Sequence, residues 1–272
     1  MKNFLLFMCL IIGISSYAGV KFAKNDRVLR VGTECDYAPN NWEENVATNS
    51  NVPLENAQGR YAEGYDIQIA KRVADSIGAE LKVIKIEWEN LIPALKRHEI
   101  DVIFSGMLDT SERKKFIAFT ETYEDRTTEY GILVQKDGKF ADAKKLTDFK
   151  GARFVGQADT NLDTAIDQVP GAIHLPPVDT ASKMLEKLSK NEADAIITDI
   201  EIISMYNKTY PNLKPIKLNG DAFVFDYSGV CAGVRQEDKK LADEINGALA
   251  KISKRERQRI MDQMITKEWD NI

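Results

Sequence analysis

The stretch ALKRHEIDVIF (Ala94–Phe104) is matched later in the chain by KLSKNEADAII (Lys187–Ile197). Each stretch has a leucine at the end of a helical pattern, followed by a lysine, a glutamate, an aspartate and an apolar run typical of a buried strand. The apolar runs end just before Ser105 and Asp199. The match predicts two similar α/β lobes in which these two positions follow corresponding strands.

Strand-like and helix-like segments alternate over most of the chain. The strand-like segments are Val28–Thr33, Leu81–Ile86, Asp101–Phe104, Ala152–Gly156, Ala172–Leu175 and Ala195–Thr198. The helix-like segments are Tyr65–Ile77, Glu89–Lys96, Thr160–Val169 and Thr180–Leu188. This alternation predicts an α/β protein built from parallel βαβ units. Because ligands bind outside the carboxyl ends of parallel strands, two facing lobes predict a ligand cleft between them.

The composition and the N-terminus favour a soluble, exported protein. A formal net charge of -5 lacks the basic footprint of proteins that bind nucleic acid. Residues 1–18 contain one lysine, an apolar run at Phe4–Ser15 and a small-residue exit at Ser16, Tyr17 and Ala18. This layout predicts a secretory signal peptide cleaved after Ala18, because the apolar run is too short to span a bilayer comfortably.

Cysteines and histidines are too few and too scattered to indicate a metal site. Cys35 and Cys231 remain after cleavage; export permits a disulfide between them, but two buried thiols fit the sequence equally well. Neither they nor His98 and His174 have the spacing of metal ligands. The sequence also lacks a Ser/His/Asp or Cys/His set and a glycine-rich nucleotide loop. We therefore expect no metal, no cofactor and no nucleophilic catalysis.

Charged residues near the two strand ends point to an amino-acid ligand. Arg113 offers a planar fork of donors suited to a carboxylate, and the small residues Ser105 and Gly106 would let such a group approach closely. An exposed helix arginine fits the same sequence equally well. Asp199 ends an apolar strand, where a ligand ammonium would pair it, although it could also cap the following helix.

A second group of anion donors is expected in the other lobe. Thr160 and Asn161 begin a predicted helix, and its N–H groups form either an anion site or a simple cap. A carboxylate-binding arginine, helix N–H donors and an aspartate for an ammonium together fit an α-amino acid.

The chain resembles the bacterial extracellular solute-binding proteins of polar amino acid ABC uptake systems, family 3. The matching stretches are LRVGTECDYAP (Leu29–Pro39), GYDIQIAKRVADSIG (Gly64–Gly78), WENLIPALKRHEIDVIFSGMLDTSERKKFIAFTETY (Trp88–Tyr123), DFKGARFVGQADTN (Asp148–Asn161), LSKNEADAIITD (Leu188–Asp199) and SGVCAGVRQED (Ser228–Asp238). They occur in the family's order and span nearly the whole mature chain.

The resemblance implies a type II periplasmic-binding-protein (Venus flytrap) fold with two lobes, each a mostly parallel sheet flanked by helices. Lobe 1 would comprise residues 27–124 plus 228–272, and lobe 2 residues 125–227, with hinge strands near 125–130 and 225–228. The implied function is not catalysis but capture of a free L-amino acid in the periplasm and its delivery to an inner-membrane ABC permease. We expect a monomer.

The resemblance also implies roles for individual residues. Arg113 would hold the ligand's α-carboxylate and Asp199 its α-ammonium. Glu34 would lie near the distal end of a basic side chain, which favours arginine, lysine, ornithine or histidine; an exposed glutamate at a strand end is the alternative. The other implied ligand contacts are Tyr37, Trp42, Ala62, Ser105, Gly106, Leu108, Thr160 and Asn161.

Two departures from the family pattern affect the expected pocket. Most members have an apolar aromatic soon after the YAP motif, whereas Asn40, Asn41 and Trp42 follow it here. Either Trp42 replaces that aromatic or Asn41 adds a polar contact. Residues Asn49–Gly59 also lengthen the loop before Gly64, which could reshape the rim of the pocket.

Three other functions stay open at this point. A neutral or other polar amino acid could be the ligand. A dehydratase of the same fold would need a general acid or base in the cleft, for which Glu34 or Asp199 is available. A detached sensor domain would signal to a membrane partner.

Overall fold

The computed structural model describes residues 27–124, 130–200, 210–220 and 222–267. These residues form two lobes, each with a five-stranded sheet and its own helices, so the predicted two-lobe α/β fold is confirmed. The predicted signal peptide, residues 1–18, lies outside the described residues.

The sheet of lobe 1 combines strands from the first and the last parts of the described chain. Its members are β1 (Val28–Thr33), β6 (Glu80–Lys85), β7 (Val102–Ile103), β8 (Ala118–Glu124) and β14 (Val230–Val234). The strand order is β6-β1-β7-β14-β8. β1 pairs in parallel with β6 and β7, whereas β14 pairs antiparallel with β7 and β8.

The sheet of lobe 2 repeats this arrangement. Its members are β9 (Tyr130–Gln135), β10 (Arg153–Phe154), β11 (Ile173–His174), β12 (Ala195–Asp199) and β13 (Leu213–Ile216). The order is β11-β10-β12-β9-β13, with β10 parallel to β11 and β12 and with β9 antiparallel to β12 and β13. Both sheets are therefore mixed: the βαβ half is parallel, and the antiparallel half contains the strands next to the crossings between lobes.

Six helices are described. They are α1 (Tyr65–Ser76), α2 (Leu91–Lys96), α3 (Asn161–Thr164), α4 (Ala181–Ser189), α5 (Lys239–Leu249) and α6 (Lys254–Thr266). Ile245 of α5 and Met261 of α6 pack in the same core as Leu29 of β1, so the end of the chain completes lobe 1. Among the described helices, none has the length and apolar composition needed to cross a bilayer.

A small antiparallel sheet lies beside the main sheet of lobe 1. Its strands are β2 (Asp36–Tyr37), β3 (Asn41–Glu44), β4 (Val52–Pro53) and β5 (Tyr61–Glu63), in the order β2-β3-β5-β4. The long segment Asn49–Gly59 thus contributes a short strand to ordered structure. Cys35, next to this sheet, and Cys231 in β14 are buried free thiols.

The predicted hinge strands near 125–130 and 225–228 are only partly covered by the described residues. Residues 125–129 lie outside the described residues, and residues 225–228 belong to no strand. There the backbone N–H groups of Ser228 and Gly229 donate to Oδ1 of Asp109, at 2.7 and 2.9 Å, instead of to a neighbouring strand. At this crossing the side chain of Asp109 therefore accepts the hydrogen bonds that a neighbouring strand would accept in a sheet. The hinge role of both segments stays a prediction.

The sequence match between the lobes corresponds to one local arrangement present twice. Asp101 accepts hydrogen bonds from the backbone N and the Nε of Arg30, at 2.9 and 3.0 Å. Asp194 accepts the same two bonds from Arg153, at 2.9 and 3.1 Å. The residue three positions before each aspartate has a positive φ, 59° in lobe 1 and 61° in lobe 2. Each aspartate thus fixes the approach to the strand that carries the predicted site residue.

Gly64, which precedes α1, allows the backbone to pass very close to the backbone of Asn40. It has a φ of 126° and a ψ of 174°, a conformation that essentially only glycine adopts. A Cβ at this position would lie 2.3 Å from the carbonyl oxygen of Asn40. This close approach lets the N–H of Asp66 donate to that carbonyl oxygen at 2.8 Å.

We expect Gly64→Ala to lower the free energy of unfolding by about 3 kcal/mol, because it combines backbone strain with a clash against backbone. Urea unfolding would measure the change. Gly59→Ala is the matched control: Gly59 also has a positive φ, 73°, but a Cβ there meets no atom within 4 Å. The control should lose about 1 kcal/mol, and equal losses in the two variants would contradict the clash.

Candidate ligand-binding site

A cavity lies between the two lobes, at the carboxyl ends of β1, β7, β10 and β12. Nine of the residues predicted for the ligand site line it: Glu34, Tyr37, Ser105, Gly106, Leu108, Arg113, Thr160, Asn161 and Asp199. Seven further residues, none of them among the predicted ligand contacts, complete the lining: Asn40, Trp88, Glu124, Tyr130, Gln157, Leu162 and Val230.

Arg113 lies on a 3-10 turn in lobe 1, with its guanidinium between the lobes. One terminal nitrogen donates to the carbonyl oxygen of Leu108 at 3.0 Å, and the other donates to that of Asp159 in lobe 2 at 3.0 Å. The Trp88 ring lies 5.0 Å from the guanidinium carbon. Burial lowers the pKa of Arg113 to about 10, so the group still carries its charge at neutral pH. A guanidinium has five N–H donors, which leaves capacity for a carboxylate.

The contact of Arg113 with lobe 2 is made by the backbone carbonyl group of Asp159. Its φ of 59° turns the carbonyl oxygen towards lobe 1, where the indole Nε1 of Trp88 also donates to it at 3.2 Å. Trp88 and Arg113 therefore share one acceptor across the cleft. Trp88 begins a 3-10 turn, Trp88–Asn90, that precedes α2, and the sequence analysis did not predict this contact.

Glu34 follows β1 and lies almost completely buried, with 4% of its surface exposed. Its backbone N–H donates to Oγ of Ser105 at 3.0 Å, and its Oε1 accepts from Nε2 of Gln157 in lobe 2 at 2.5 Å. Burial and, second, the charge of Asp36 raise the pKa of Glu34 to about 8. The alternative of an exposed glutamate is wrong. The carboxyl group is largely neutral at pH 7 unless a cation lies beside it.

Two further acidic side chains line the cavity. Asp199 is 2% exposed and pairs with Tyr130 across β12 and β9, so these two side chains lie on the same face of the sheet. Glu124, at the end of β8, is 6% exposed and accepts a hydrogen bond from Nδ2 of Asn40 at 2.9 Å. With Glu34, three acidic groups and one basic group line the described cavity. This balance favours a ligand with a net positive charge.

Two buried polar atoms of lining residues lack a hydrogen-bond partner among the described residues. They are Oδ1 of Asn40 in lobe 1 and Nδ2 of Asn161 in lobe 2, one acceptor and one donor. A buried polar group without a partner costs about 1–3 kcal/mol. A polar ligand in the cavity would supply the missing partners from both walls.

The turn at Gly106 brings backbone close to the cavity. Its φ is 60°, and a Cβ there would lie 3.3 Å from the Tyr37 ring, so the position has little room for a side chain. Behind it, the fully buried Asp66 accepts from the hydroxyl of Tyr123 at 2.7 Å and from Nδ2 of Asn41 at 2.8 Å. Burial raises the pKa of Asp66 to about 7, and a hydrogen bond from the backbone of Gly106 acts against this rise. Asn41 thus supports the turn from behind and does not line the cavity.

Two predicted site residues do not line this cavity, and their assignment is corrected. Trp42 packs into the core of lobe 1 and its Nε1 donates to Oε1 of Glu44 at 2.7 Å. Ala62 is fully buried in a separate cluster with Ile67 and Val83. Both lie on the small antiparallel sheet, in which Trp42 is paired with Asp36 and Ala62 with Glu43. No periodic pattern in the sequence indicated this sheet.

Comparison with known proteins yields one family model and several relatives. The model described as bacterial extracellular solute-binding proteins, family 3, matches residues 29–267. The chain is 27% identical over 189 residues to the ABC transporter arginine-binding protein 1 of Escherichia coli K12, an alignment that covers 70% of this chain and 75% of that protein. It is 26% identical over 257 residues to the histidine-binding periplasmic protein of Salmonella typhimurium, covering 93% of this chain and 92% of that protein.

A solved structure agrees with these relatives. A mutant of arginine-bound ArgBP from T. maritima superposes with a TM-score of 0.68 at 29% sequence identity. The superposition covers 83% of this chain and 96% of that one.

Proposed function

Because the chain belongs to the bacterial extracellular solute-binding proteins of family 3, we propose that it captures a basic L-amino acid between its lobes for an ABC permease. The observation that carries the proposal is the charge pattern of the cavity. Arg113 faces the cavity from lobe 1, and the acidic groups Glu34, Glu124 and Asp199 lie around it. An amino acid with a cationic side chain has one negative and two positive groups, which complements this arrangement.

In the proposed complex, each charged group of the ligand meets a group of opposite charge. Arg113 binds the α-carboxylate through its remaining donors, with Thr160 and Asn161 contributing from lobe 2. Asp199 binds the α-ammonium, with Glu124 nearby. Glu34 binds the distal cation of the side chain and ionises as it does so, because an adjacent cation stabilises its carboxylate form.

The protein acts in this proposal as a periplasmic receptor and not as an enzyme. Residues 1–18 direct export and are removed, and the monomeric mature chain presents its ligand to an inner-membrane permease. Contacts from both lobes to one ligand favour the state in which the lobes touch, because a ligand shifts an equilibrium by its differential affinity. Ligand recovered chemically unchanged after long incubation with the protein would exclude turnover of that amino acid.

The test is a thermal-unfolding screen with the twenty amino acids and ornithine. Arginine, lysine, ornithine and histidine are expected to raise the Tm by about 5 °C or more at concentrations near 100 times Kd, by mass action. Agmatine, which keeps the side chain of arginine but lacks the carboxylate, is the matched control and should give no shift. A shift with acidic amino acids only would contradict the proposed ligand class.

A further inference from the structure

A pair of hydrogen bonds joins the lobes outside the ligand cavity. The carboxylate of Asp36, on β2 of lobe 1, meets Ser182, in the first turn of α4 of lobe 2. Its Oδ1 accepts from the Ser182 hydroxyl at 2.7 Å, and its Oδ2 accepts from the Ser182 backbone N–H at 3.1 Å. Both bonds involve a charged acceptor, and the macrodipole of the nine-residue helix α4 favours a negative charge at this end.

The position of this pair separates it from ligand recognition. Neither Asp36 nor Ser182 lines the cavity between Arg113 and Asp199. Both instead border a second, polar cavity at the edge of the interface between the lobes. The two residues therefore act on the contact between the lobes without touching a bound amino acid.

We propose that Asp36 and Ser182 form a latch that stabilises the state in which the lobes touch, and that the latch slows ligand release. The proposal rests on the proposed capture of an amino acid in the cleft. Because the latch exists only when the lobes touch, its loss should accelerate dissociation and leave the encounter of ligand with the separated lobes unchanged. Asp36 and Ser182 are positioning residues in this sense.

The charge of Asp36 could also act directly on a cationic ligand, since it contributes to the raised pKa of Glu34. Ser182→Ala separates the two effects, because it removes the hydroxyl of the latch and keeps the charge. Ser50→Ala is the matched control: the Ser50 hydroxyl donates to Oε2 of Glu63 at 2.5 Å, a hydroxyl–carboxylate bond within lobe 1.

The experiment measures stopped-flow binding of L-arginine to the wild type, Ser182→Ala, Asp36→Ala, the double variant and Ser50→Ala. Ser182→Ala is expected to dissociate about tenfold faster or more, with association unchanged within about twofold, as for loss of one charge-assisted hydrogen bond. The double variant should be no faster than Asp36→Ala, because both changes remove the same contact. Unchanged dissociation in Ser182→Ala, or fully additive effects, would overturn the latch.

Small-angle X-ray scattering of the same proteins, with and without L-arginine, separates failure of the latch from failure of the proposed function. The latch predicts a smaller compact fraction in Ser182→Ala and Asp36→Ala than in the wild type. Tight binding by the wild type with identical scattering and kinetics in the variants would overturn the latch alone. If the wild type does not bind L-arginine but the variants are less compact than the wild type, the proposed ligand would be refuted and the latch supported. Absence of binding with identical scattering would overturn both.

Discussion

Arg113→Ala is expected to reduce the affinity for every amino acid by about 100- to 1,000-fold, measured by titration calorimetry. The substitution removes the cation proposed to bind the α-carboxylate, which all amino acids share. It also removes the bond to the carbonyl oxygen of Asp159, one of the links between the lobes. Loss of affinity should therefore be independent of the ligand side chain.

Two further variants sharpen this prediction. Arg113→Lys keeps the charge but lacks the planar fork, so it should recover only a small part of the lost affinity. Arg97→Ala is the control for loss of a lobe 1 arginine, because Arg97 is exposed and pairs with Glu99. The control should bind like the wild type. An Arg113→Ala protein with affinity within about threefold of the wild type would refute the assignment of this residue.

Glu34→Gln is expected to lower the affinity for L-arginine by about 100-fold and to change the affinity for L-glutamine by less than about threefold. Gln keeps the size and the hydrogen-bonding capacity of the side chain but cannot become an anion next to the guanidinium. Equal losses for the two ligands would show that Glu34 supports the cavity and does not select a cation.

The same residue predicts a pH dependence with a definite sign. The pKa of Glu34 is raised to about 8, so at neutral pH the carboxyl group is mostly protonated before ligand binds. A bound cation favours the ionised form, and binding then releases a proton. The affinity for L-arginine should therefore rise with pH between about pH 6 and about pH 8 and level off above it. Calorimetry in buffers of different ionisation enthalpy would count the protons, and Glu34→Gln should abolish both the release and the slope.

The parallel strands of both main sheets and the helices α1 to α4 were predictable because their apolar periodicity is local. The antiparallel strands β8, β9, β13 and β14 and the helices α5 and α6 were not predicted. The match between Ala94–Phe104 and Lys187–Ile197 predicted the two lobes, and the structure adds its cause in the aspartates that brace each strand. The short antiparallel sheet escaped prediction because its strands have two to four residues, too few for a periodic signal. Trp42 and Ala62, which the family resemblance implied as ligand contacts, lie on this sheet and do not line the cavity.

The lining of the cavity was predictable where a polar residue follows a strand that the sequence indicates, as at Ser105 and Asp199. Glu124 ends β8, a strand that the sequence analysis did not predict. Gln157 follows a predicted strand, but its contact with Glu34 across the lobes is not encoded in any local pattern. The neutral state of Glu34 could not be predicted from the sequence either, since its raised pKa depends on the burial that both lobes produce together.

Asn40 and Asn161, which each have one polar atom without a partner in the described part of the chain, have a consequence for the lifetime of the protein. A ligand that pairs with these atoms binds the folded chain and not the unfolded one, so the loaded fold is more stable than the ligand-free fold. A cell that depletes the amino acid thereby holds more of this receptor in states that proteases can attack. The concentration of the ligand and the resistance of the protein to proteolysis are in this way thermodynamically linked.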